Sequence, residues 1–170
     1  MTVTIIGSGM MGSALAFPAR ENGNTVRLVG TPLDREIIDT CRKTNRHPKF
    51  KKDFPVGCTF HQIEEMAEAG QDADFVIGGV SSFGVDWFGE YVLPKLPPDL
   101  PVLSVTKGLT DTPDGKLLTY PAVWEARLAE RGIARTICAI GGPCTSYELV
   151  AHDQTVVAFC GKDIETLRMF

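Results

Sequence analysis

Three short segments combine residue types and spacings that can do chemistry. The first is Gly7-Ser8-Gly9-Met10-Met11-Gly12, a G-x-G-x-x-G pattern. It follows the apolar run Val3-Thr4-Ile5-Ile6 and precedes the small and apolar Ser13-Ala14-Leu15-Ala16. Strand, glycine turn and helix in that order can hold the diphosphate of a dinucleotide. Gly7 is expected to allow the tight turn, Gly9 to let the backbone approach a pyrophosphate, and Gly12 to let helix and strand pack closely. The free N–H groups at the start of the helix, and its positive dipole end, then face the phosphates. A glycine turn that binds nothing is the bland alternative, and the strand-to-helix context speaks against it.

The second segment is Ser104-Val105-Thr106-Lys107-Gly108-Leu109. Lys107 directly follows an apolar run. An ammonium at the active end of a strand can hold a substrate phosphate or polarise a carbonyl during hydride transfer. A solvent-exposed loop lysine is the alternative. The third is Ala139-Ile140-Gly141-Gly142-Pro143-Cys144-Thr145-Ser146-Tyr147-Glu148-Leu149. Its paired glycines and small hydroxyl residues make a second potential anion-binding turn. Cys144 has no base beside it, which argues against a nucleophile. Glu148 reads as a carboxylate of a helix first turn. In Gly78-Gly79-Val80-Ser81-Ser82-Phe83, the backbone and Ser81 could lie along a cofactor ribose or simply cap the next helix.

The cofactor's identity stays open between NAD and NADP. A carboxylate about 20 residues past the glycines, at the end of the second strand, would take the 2′-hydroxyl of NAD. That strand instead ends Leu28-Val29-Gly30-Thr31. Asp34 fits the first turn of a helix better, and Thr31 and Arg35 could accept a 2′-phosphate.

These segments need a scaffold, and the chain supplies one. Strands are expected at 2–6, 25–29, 74–80, 101–106, 135–140 and 155–160, with a shorter one at 56–60. Helices are expected at 11–22, 33–43, 62–69, 84–94, 116–131 and 145–151. Runs such as Phe75-Val76-Ile77 lack polar alternation, as suits strands buried on both faces of a parallel sheet. Alternating strands and helices predict a doubly wound, mostly parallel α/β sheet. Asn22-Gly23-Asn24 ends the first helix. Thr31-Pro32-Leu33-Asp34 reads as an N-cap, a proline at the first helical position and an acid in the first turn. Thr119-Tyr120-Pro121 starts another helix in the same way.

With 170 residues the chain suits one domain, 1–170, with a proper core. A net charge of −4 gives no general nucleic-acid surface, and no apolar stretch approaches the length that spans a bilayer. The glycine turn occupies the place of a signal sequence, so a cytoplasmic location follows by default. Cys41, Cys58, Cys138, Cys144 and Cys160 are odd in number with no C-x-x-C spacing, which suggests neither a disulfide framework nor a zinc site. Cys138 and Cys160, in expected strands, read as small buried apolar residues. His47, His61 and His152 are scattered without a metal-ligand pattern. The basic loop Asn45-Arg46-His47-Pro48-Lys49-Phe50-Lys51-Lys52 reads as a solvated surface that secondarily attracts anions.

Taken together these segments resemble the NAD(P)-dependent glycerol-3-phosphate dehydrogenases, along nearly the whole chain. The family's glycine motif followed by G-x-A-L-A matches Gly7 to Ala16. Its lysine-glycine pair after the fourth main strand matches Lys107-Gly108. Its G-P-[small]-x-[small]-x-E-[apolar] segment matches Gly142 to Leu149. The His47-Pro48 loop is similar to the family's histidine-containing loop. The first motif is common to many dehydrogenases; the three in this order and spacing are specific. Departures are Cys144 where the family usually has serine, threonine or asparagine, Tyr147 where a lysine is frequent, and Met11 where many relatives carry an aromatic residue.

The resemblance implies reversible hydride transfer between NAD(P)H and dihydroxyacetone phosphate, giving sn-glycerol 3-phosphate. Lys107 would be catalytic and touch both substrate and cofactor. Gly142 and Cys144 would line the substrate-phosphate side. Gly7, Gly9, Met10, Met11, Gly12, Ser81 and Ser146 would lie against the cofactor. Partners would be a small phosphorylated substrate and, as in the family, a second copy in a homodimer, with no nucleic acid and no membrane. Family members continue into an all-helical domain that supplies a second essential lysine and a phosphate-binding arginine. The sequence from Gly161 to Phe170 reads as the start of a further helix, so the expectation is a Rossmann-type cofactor domain without its helical partner. Alternatives are another two-domain dehydrogenase, such as a ketopantoate reductase or a 6-phosphogluconate-type enzyme, or a non-catalytic NAD(H)-sensing module.

Overall fold

The computed structural model describes all 170 residues. Seven strands form one sheet in the order β3-β2-β1-β4-β5-β8-β9. They are β1 (Thr2–Ile6), β2 (Thr25–Val29), β3 (Cys58–His61), β4 (Phe75–Gly78), β5 (Val102–Ser104), β8 (Ile137–Gly141) and β9 (Ala158–Cys160). The first six are mutually parallel, and β9 closes the edge antiparallel to β8. A separate antiparallel hairpin, β6 (Leu109–Asp111) and β7 (Leu117–Thr119), follows β5.

The helices are α1 (Met10–Glu21), α2 (Arg35–Thr44), α3 (Met66–Gly70), α4 (Val85–Trp87), α5 (Tyr120–Ala129), α6 (Ser146–Ala151) and α7 (Ile164–Met169). α4 is the middle of a longer helical stretch. A 3-10 turn over Ser82–Gly84 precedes it, and a π turn over Phe88–Val92 and a second 3-10 turn over Leu93–Lys95 follow.

The sheet is covered on both faces. One core contains Val3, Ile5, Ala14, Phe17, Leu28, Ile38 and Val150, under α1, α2 and α6. The other contains Ile6, Val29, Val76, Val85, Phe88, Leu93 and Trp124, under the 82–95 stretch and α5. Alternate residues of one strand therefore serve opposite layers, which is why the strands carry no polar face. The expected doubly wound architecture is the one observed.

Several boundaries moved for physical reasons. α2 starts at Arg35, with Asp34 rather than Thr31 at the N-cap position and no side-chain cap bond. The Asp34 carboxylate accepts the backbone N–H and the hydroxyl of Thr31, both at 2.8 Å. That local turn delays the helix start to three residues past Pro32. The expected helix over 116–131 is shorter, because 117–119 pairs with 109–111 as a hairpin. Thr119 caps α5 as expected, its hydroxyl accepting from Ala122 N–H at 3.4 Å. Cys160 is exposed, contrary to the expectation of a buried strand residue, because β9 is an edge strand whose three residues are all exposed. Cys138, one strand further in, is buried.

Candidate functional site

The order of strands reverses direction between β1 and β4: β1 connects outward to β2, and β4 outward to β5. A crevice opens at such a switch point, beyond the C-terminal strand ends. The ends are level, since Ile6 pairs with Val29 on one side and Gly78 on the other. They are laced together by Gly7 N–H to Val29 O at 2.8 Å and Gly79 N–H to Ile6 O at 2.7 Å.

Three glycines, Gly7, Gly12 and Gly79, build the base of the crevice by close backbone approach. Gly7 holds φ +112, where a side chain is strained, and a Cβ there would stand 2.7 Å from the Gly79 carbonyl carbon. A Cβ on Gly12 would stand 2.2 Å from the Gly7 oxygen. Gly9 is different. The nearest atom to its Cβ position is the Gly79 oxygen at 3.8 Å, so no protein group fills the space in front of it. Gly9 is the N-cap of α1, and no side chain caps that helix or places an acid in its first turn. The leading N–H groups of a 12-residue helix thus meet an open space, which is the arrangement an anion needs.

The space is a cleft of about 410 Å³. Gly7, Gly9 and Gly79 form its floor, Thr31, Leu33 and Asp34 one wall, and Ser81, Phe83 and Trp87 the other. Leu33 and Phe83 are 94% and 100% exposed at its rim. Apolar walls with a few convergent polar groups are the usual make-up of a small-molecule site.

The residues singled out from the sequence fall into two groups. Gly7, Gly9 and Ser81 line the cleft, and Gly12 packs beneath it. Met10 and Met11 form the first turn of α1, with side chains against the core, leaving backbone rather than side chain for the cleft. Lys107, Gly142, Cys144 and Ser146 are not among the cleft-lining residues. They gather at the neighbouring C-terminal ends of β5 and β8. The Lys107 ammonium is exposed and donates to the Gly142 carbonyl at 2.6 Å. Cys144 is buried behind this turn, its thiol 3.5 Å from the Thr145 carbonyl. Ser146 is the first residue of α6 and half-buried.

The second turn carries its own anion. The Glu148 carboxylate accepts the Thr145 N–H at 2.6 Å and the Thr145 hydroxyl at 2.9 Å. Those bonds hold its pKa below the ordinary carboxylate range. Glu148 is therefore the helix-cap acid the sequence suggested. Thr145 in turn accepts from Glu148 N–H at 3.4 Å, completing a capping box.

Around the first turn, the two residues weighed for a 2′-phosphate are engaged: Thr31 donates its hydroxyl to Asp34, and Arg35 pairs with Glu64. Asp34 also accepts the Ser8 N–H at 3.2 Å. His47, not assigned a role from the sequence, reaches the same peptide from the other side: its Nε2 lies 3.1 Å from the Ser8 carbonyl oxygen. The signal in the sequence was only a histidine before a proline in a basic loop. Burial pushes the His47 pKa below its ordinary value. Burial also pushes the Cys41 and Cys58 thiols up to about 11, leaving them neutral packing groups.

Residues 2–167 match the family model described as NAD-dependent glycerol-3-phosphate dehydrogenase N-terminus. The chain belongs to this family. It is 36% identical over 162 residues to the NADP(+)-dependent glycerol-3-phosphate dehydrogenase of Archaeoglobus fulgidus, a match covering 94% of this chain and 46% of that protein. Among solved structures, the glycerol-3-phosphate dehydrogenase of Plasmodium falciparum superposes with a TM-score of 0.81 at 17% identity, over 99% of this chain and 48% of the other. That of Coxiella burnetii gives 0.80 at 18% identity, over 99% of this chain and 49% of the other. The chain thus spans about half the length of the family members it matches. The structural likenesses establish the shared α/β fold, and no helix is long and apolar enough to cross a membrane.

Proposed function

We propose that this chain is the cofactor-holding unit of an oxidoreductase that interconverts dihydroxyacetone phosphate and sn-glycerol 3-phosphate with NAD(P)H. Family membership over residues 2–167 supports the substrate and the reaction. The observation that carries the site is the asymmetry among the glycines. Gly7 and Gly12 are closed by backbone at under 3 Å, while Gly9 faces empty space at the head of an uncapped helix. A diphosphate fits that gap in shape and in charge.

The reaction joins dihydroxyacetone phosphate, NAD(P)H and a proton to give sn-glycerol 3-phosphate and NAD(P)+. When bound, the nicotinamide supplies or receives the hydride. The chain's own contributions are distinct. The turn at Gly7–Gly12 binds the diphosphate and fixes its register. Leu33 and Phe83 cover apolar parts of the dinucleotide and exclude water. Ser81 lies along the ribose side. Lys107, resting on the Gly142 carbonyl, offers an ammonium where charge develops on the substrate oxygen. Gly142, Cys144 and Ser146 shape the neighbouring turn. The general base and the phosphate-binding cation are assigned to the half of the family members without a counterpart in these 170 residues. A homodimer, a cytoplasmic location and a small phosphorylated molecule rather than nucleic acid as partner belong to the same proposal, the last supported by the net charge of −4.

The test is titration of the chain with NADH and with NADPH, read by tryptophan fluorescence. Trp87 lines the cleft, whereas Trp124 is fully buried under Gly89, so the change belongs to Trp87. Saturable quenching by at least one nucleotide is expected, and its loss in Gly9→Val, where the valine side chain fills the gap. Equal binding by Gly9→Val removes the site assignment. The ratio of the two affinities decides between NAD and NADP.

A further inference from the structure

The Ser8 peptide is gripped from both sides by side chains distant in sequence. On its N–H side stands the Asp34 carboxylate at 3.2 Å, from the turn between β2 and α2. On its carbonyl side stand His47 Nε2 at 3.1 Å and the Ser13 hydroxyl, which donates at 3.1 Å from α1. Ser8 is 0% exposed, so the gripped peptide is shielded from bulk solvent.

His47 arrives on a loop built to deliver it. α2 ends at Asn45 in left-handed geometry, φ 54. Asn45 then closes the loop base: its carbonyl accepts from Phe54 N–H at 2.8 Å, and its amide donates to the Phe54 carbonyl at 2.8 Å. Inside the loop His47 is 1% exposed and packs on Phe50, ring centroids 4.7 Å apart. Phe50 in turn meets Phe17 of α1 and Tyr147 of α6 edge-on. The ring's protonation is fixed by its partners. Lys49 N–H lies 3.1 Å from Nδ1 and can only donate, so Nδ1 is the bare acceptor. The single proton sits on Nε2 and points at the Ser8 carbonyl.

We propose that His47 is a positioning residue for the phosphate turn: its Nε2–H, opposed by Asp34, fixes the Ser8 peptide so that Gly9 and the first N–H groups of α1 face the cleft. This rests on the reading that the turn holds a dinucleotide. A flexible turn loses that orientation in most of its conformers, and affinity falls by the populated fraction. The same geometry makes the grip depend on pH. A second proton would go to Nδ1, against the Lys49 N–H, and would break the loop's contact with the ring. The charged groups acting on the ring are Lys49 of its own loop, which opposes protonation, and Asp34 across Ser8, which favours it. Of the loop's other charges, Arg46 pairs with Asp53, Lys52 reaches toward His152, and Lys51 is exposed to solvent. Burial outweighs the Ser8 hydrogen bond and the Asp34 charge, which both favour protonation, so the ring stays neutral at neutral pH.

The experiment is titration with acid-stable NAD+, read by Trp87 emission, for the unmodified chain, His47→Ala and His47→Gln. Glutamine places an amide nitrogen as many bonds from the backbone as Nε2, and it does not titrate. His47→Ala is expected to bind about tenfold more weakly, the loss of one buried hydrogen bond and its orientation. His47→Gln is expected to stay within about threefold of the unmodified chain. As pH falls through the lowered value of the buried ring, the unmodified chain is expected to lose affinity progressively, and His47→Gln less than twofold over the same range. His47→Gln falling as far as His47→Ala, or keeping the acid-side loss, overturns the proposal. Should His47→Ala not fold, the glutamine variant alone decides. Absence of nucleotide binding by the unmodified chain overturns the cofactor-site reading itself, whereas normal binding by His47→Ala overturns only the role of His47.

Discussion

At the scale of residues, the site divides into backbone and side-chain work. The cleft floor is backbone: three glycines approach within distances no Cβ tolerates, and a fourth position, Gly9, is left open. In the proposed reaction the side-chain work falls to Lys107, whose ammonium is held 2.6 Å from the Gly142 carbonyl on the adjacent strand end. That carbonyl is a neutral, replaceable partner. A substrate oxygen gaining negative charge competes with it favourably, because it adds a charge–charge attraction that a neutral carbonyl cannot offer the ammonium. Under the proposed reaction, in a protein that also carries the general base, Lys107→Ala is therefore expected to lower kcat by roughly a hundredfold or more while leaving NAD+ affinity within about threefold. Turnover measured alongside fluorescence titration checks this. A proportionate loss of cofactor affinity would make Lys107 a cofactor ligand first, and unchanged turnover would leave it a surface lysine.

At the scale of elements, the placement of the site depends on where β5 begins, and a buried arginine sets that point. Arg135 is 8% exposed and donates four bonds to carbonyls around the connector at 96–101. Nη1 reaches Pro97 O at 2.8 Å and Leu100 O at 2.9 Å; Nη2 reaches Leu96 O at 2.9 Å and Leu93 O at 3.2 Å. These include the last carbonyls of the 82–95 helical stretch, where a cation complements the dipole. Arg135→Met strands several carbonyls and is expected to destabilise the fold by about 2–4 kcal/mol, read as a shifted urea midpoint. Arg135→Lys recovers little, since an ammonium lacks the planar fork. Legibility followed the range of the interactions. The β1–turn–α1 unit was legible because its chemistry is consecutive, with every glycine role local. The hairpin at 109–119 was missed because three-residue strands carry no periodicity, and Leu109 and Leu117 are exposed, so burial gave no pattern either. The start of α2 was misread because Asp34 bonds backward to Thr31 and across to Ser8 instead of capping forward. The role of His47 was invisible because its partner lies 39 residues away and the pairing exists only once the 45–54 loop folds over α1. The Lys107–Gly142 pair was legible as two motifs but not as one contact, since β5 and β8 are brought side by side by an intervening hairpin and helix.

At the scale of the whole molecule, two separate cores on one sheet share a single row of strand ends, so the cleft is as stable as the fold. That stability has a definite pH dependence. Burial lowers the pKa of both His47 and His61 in the folded chain. In the unfolded chain each returns to the ordinary histidine value near 6.5. Above that value both states carry neutral rings, and stability does not change with pH on their account. As pH falls below it, the unfolded chain takes up protons that the folded chain refuses, and the balance shifts toward unfolding until the lowered folded values are reached. A second and more acidic window follows from groups of the opposite kind. Glu65, Asp114, Glu148 and Asp163 are held below the ordinary carboxylate range, mainly by hydrogen bonds, so their contribution is present at neutral pH and disappears as pH drops through those lowered values. Urea midpoints are therefore expected to be flat from about pH 8 to 7, to fall between about pH 6.5 and 5, and to fall again below about pH 4. The double variant His47→Gln, His61→Gln should flatten the first fall and leave the second untouched, because glutamine has no proton to bind in either state. A first fall of undiminished size in that variant would assign it to other groups and would detach the acid sensitivity of the fold from the histidine that holds the phosphate turn.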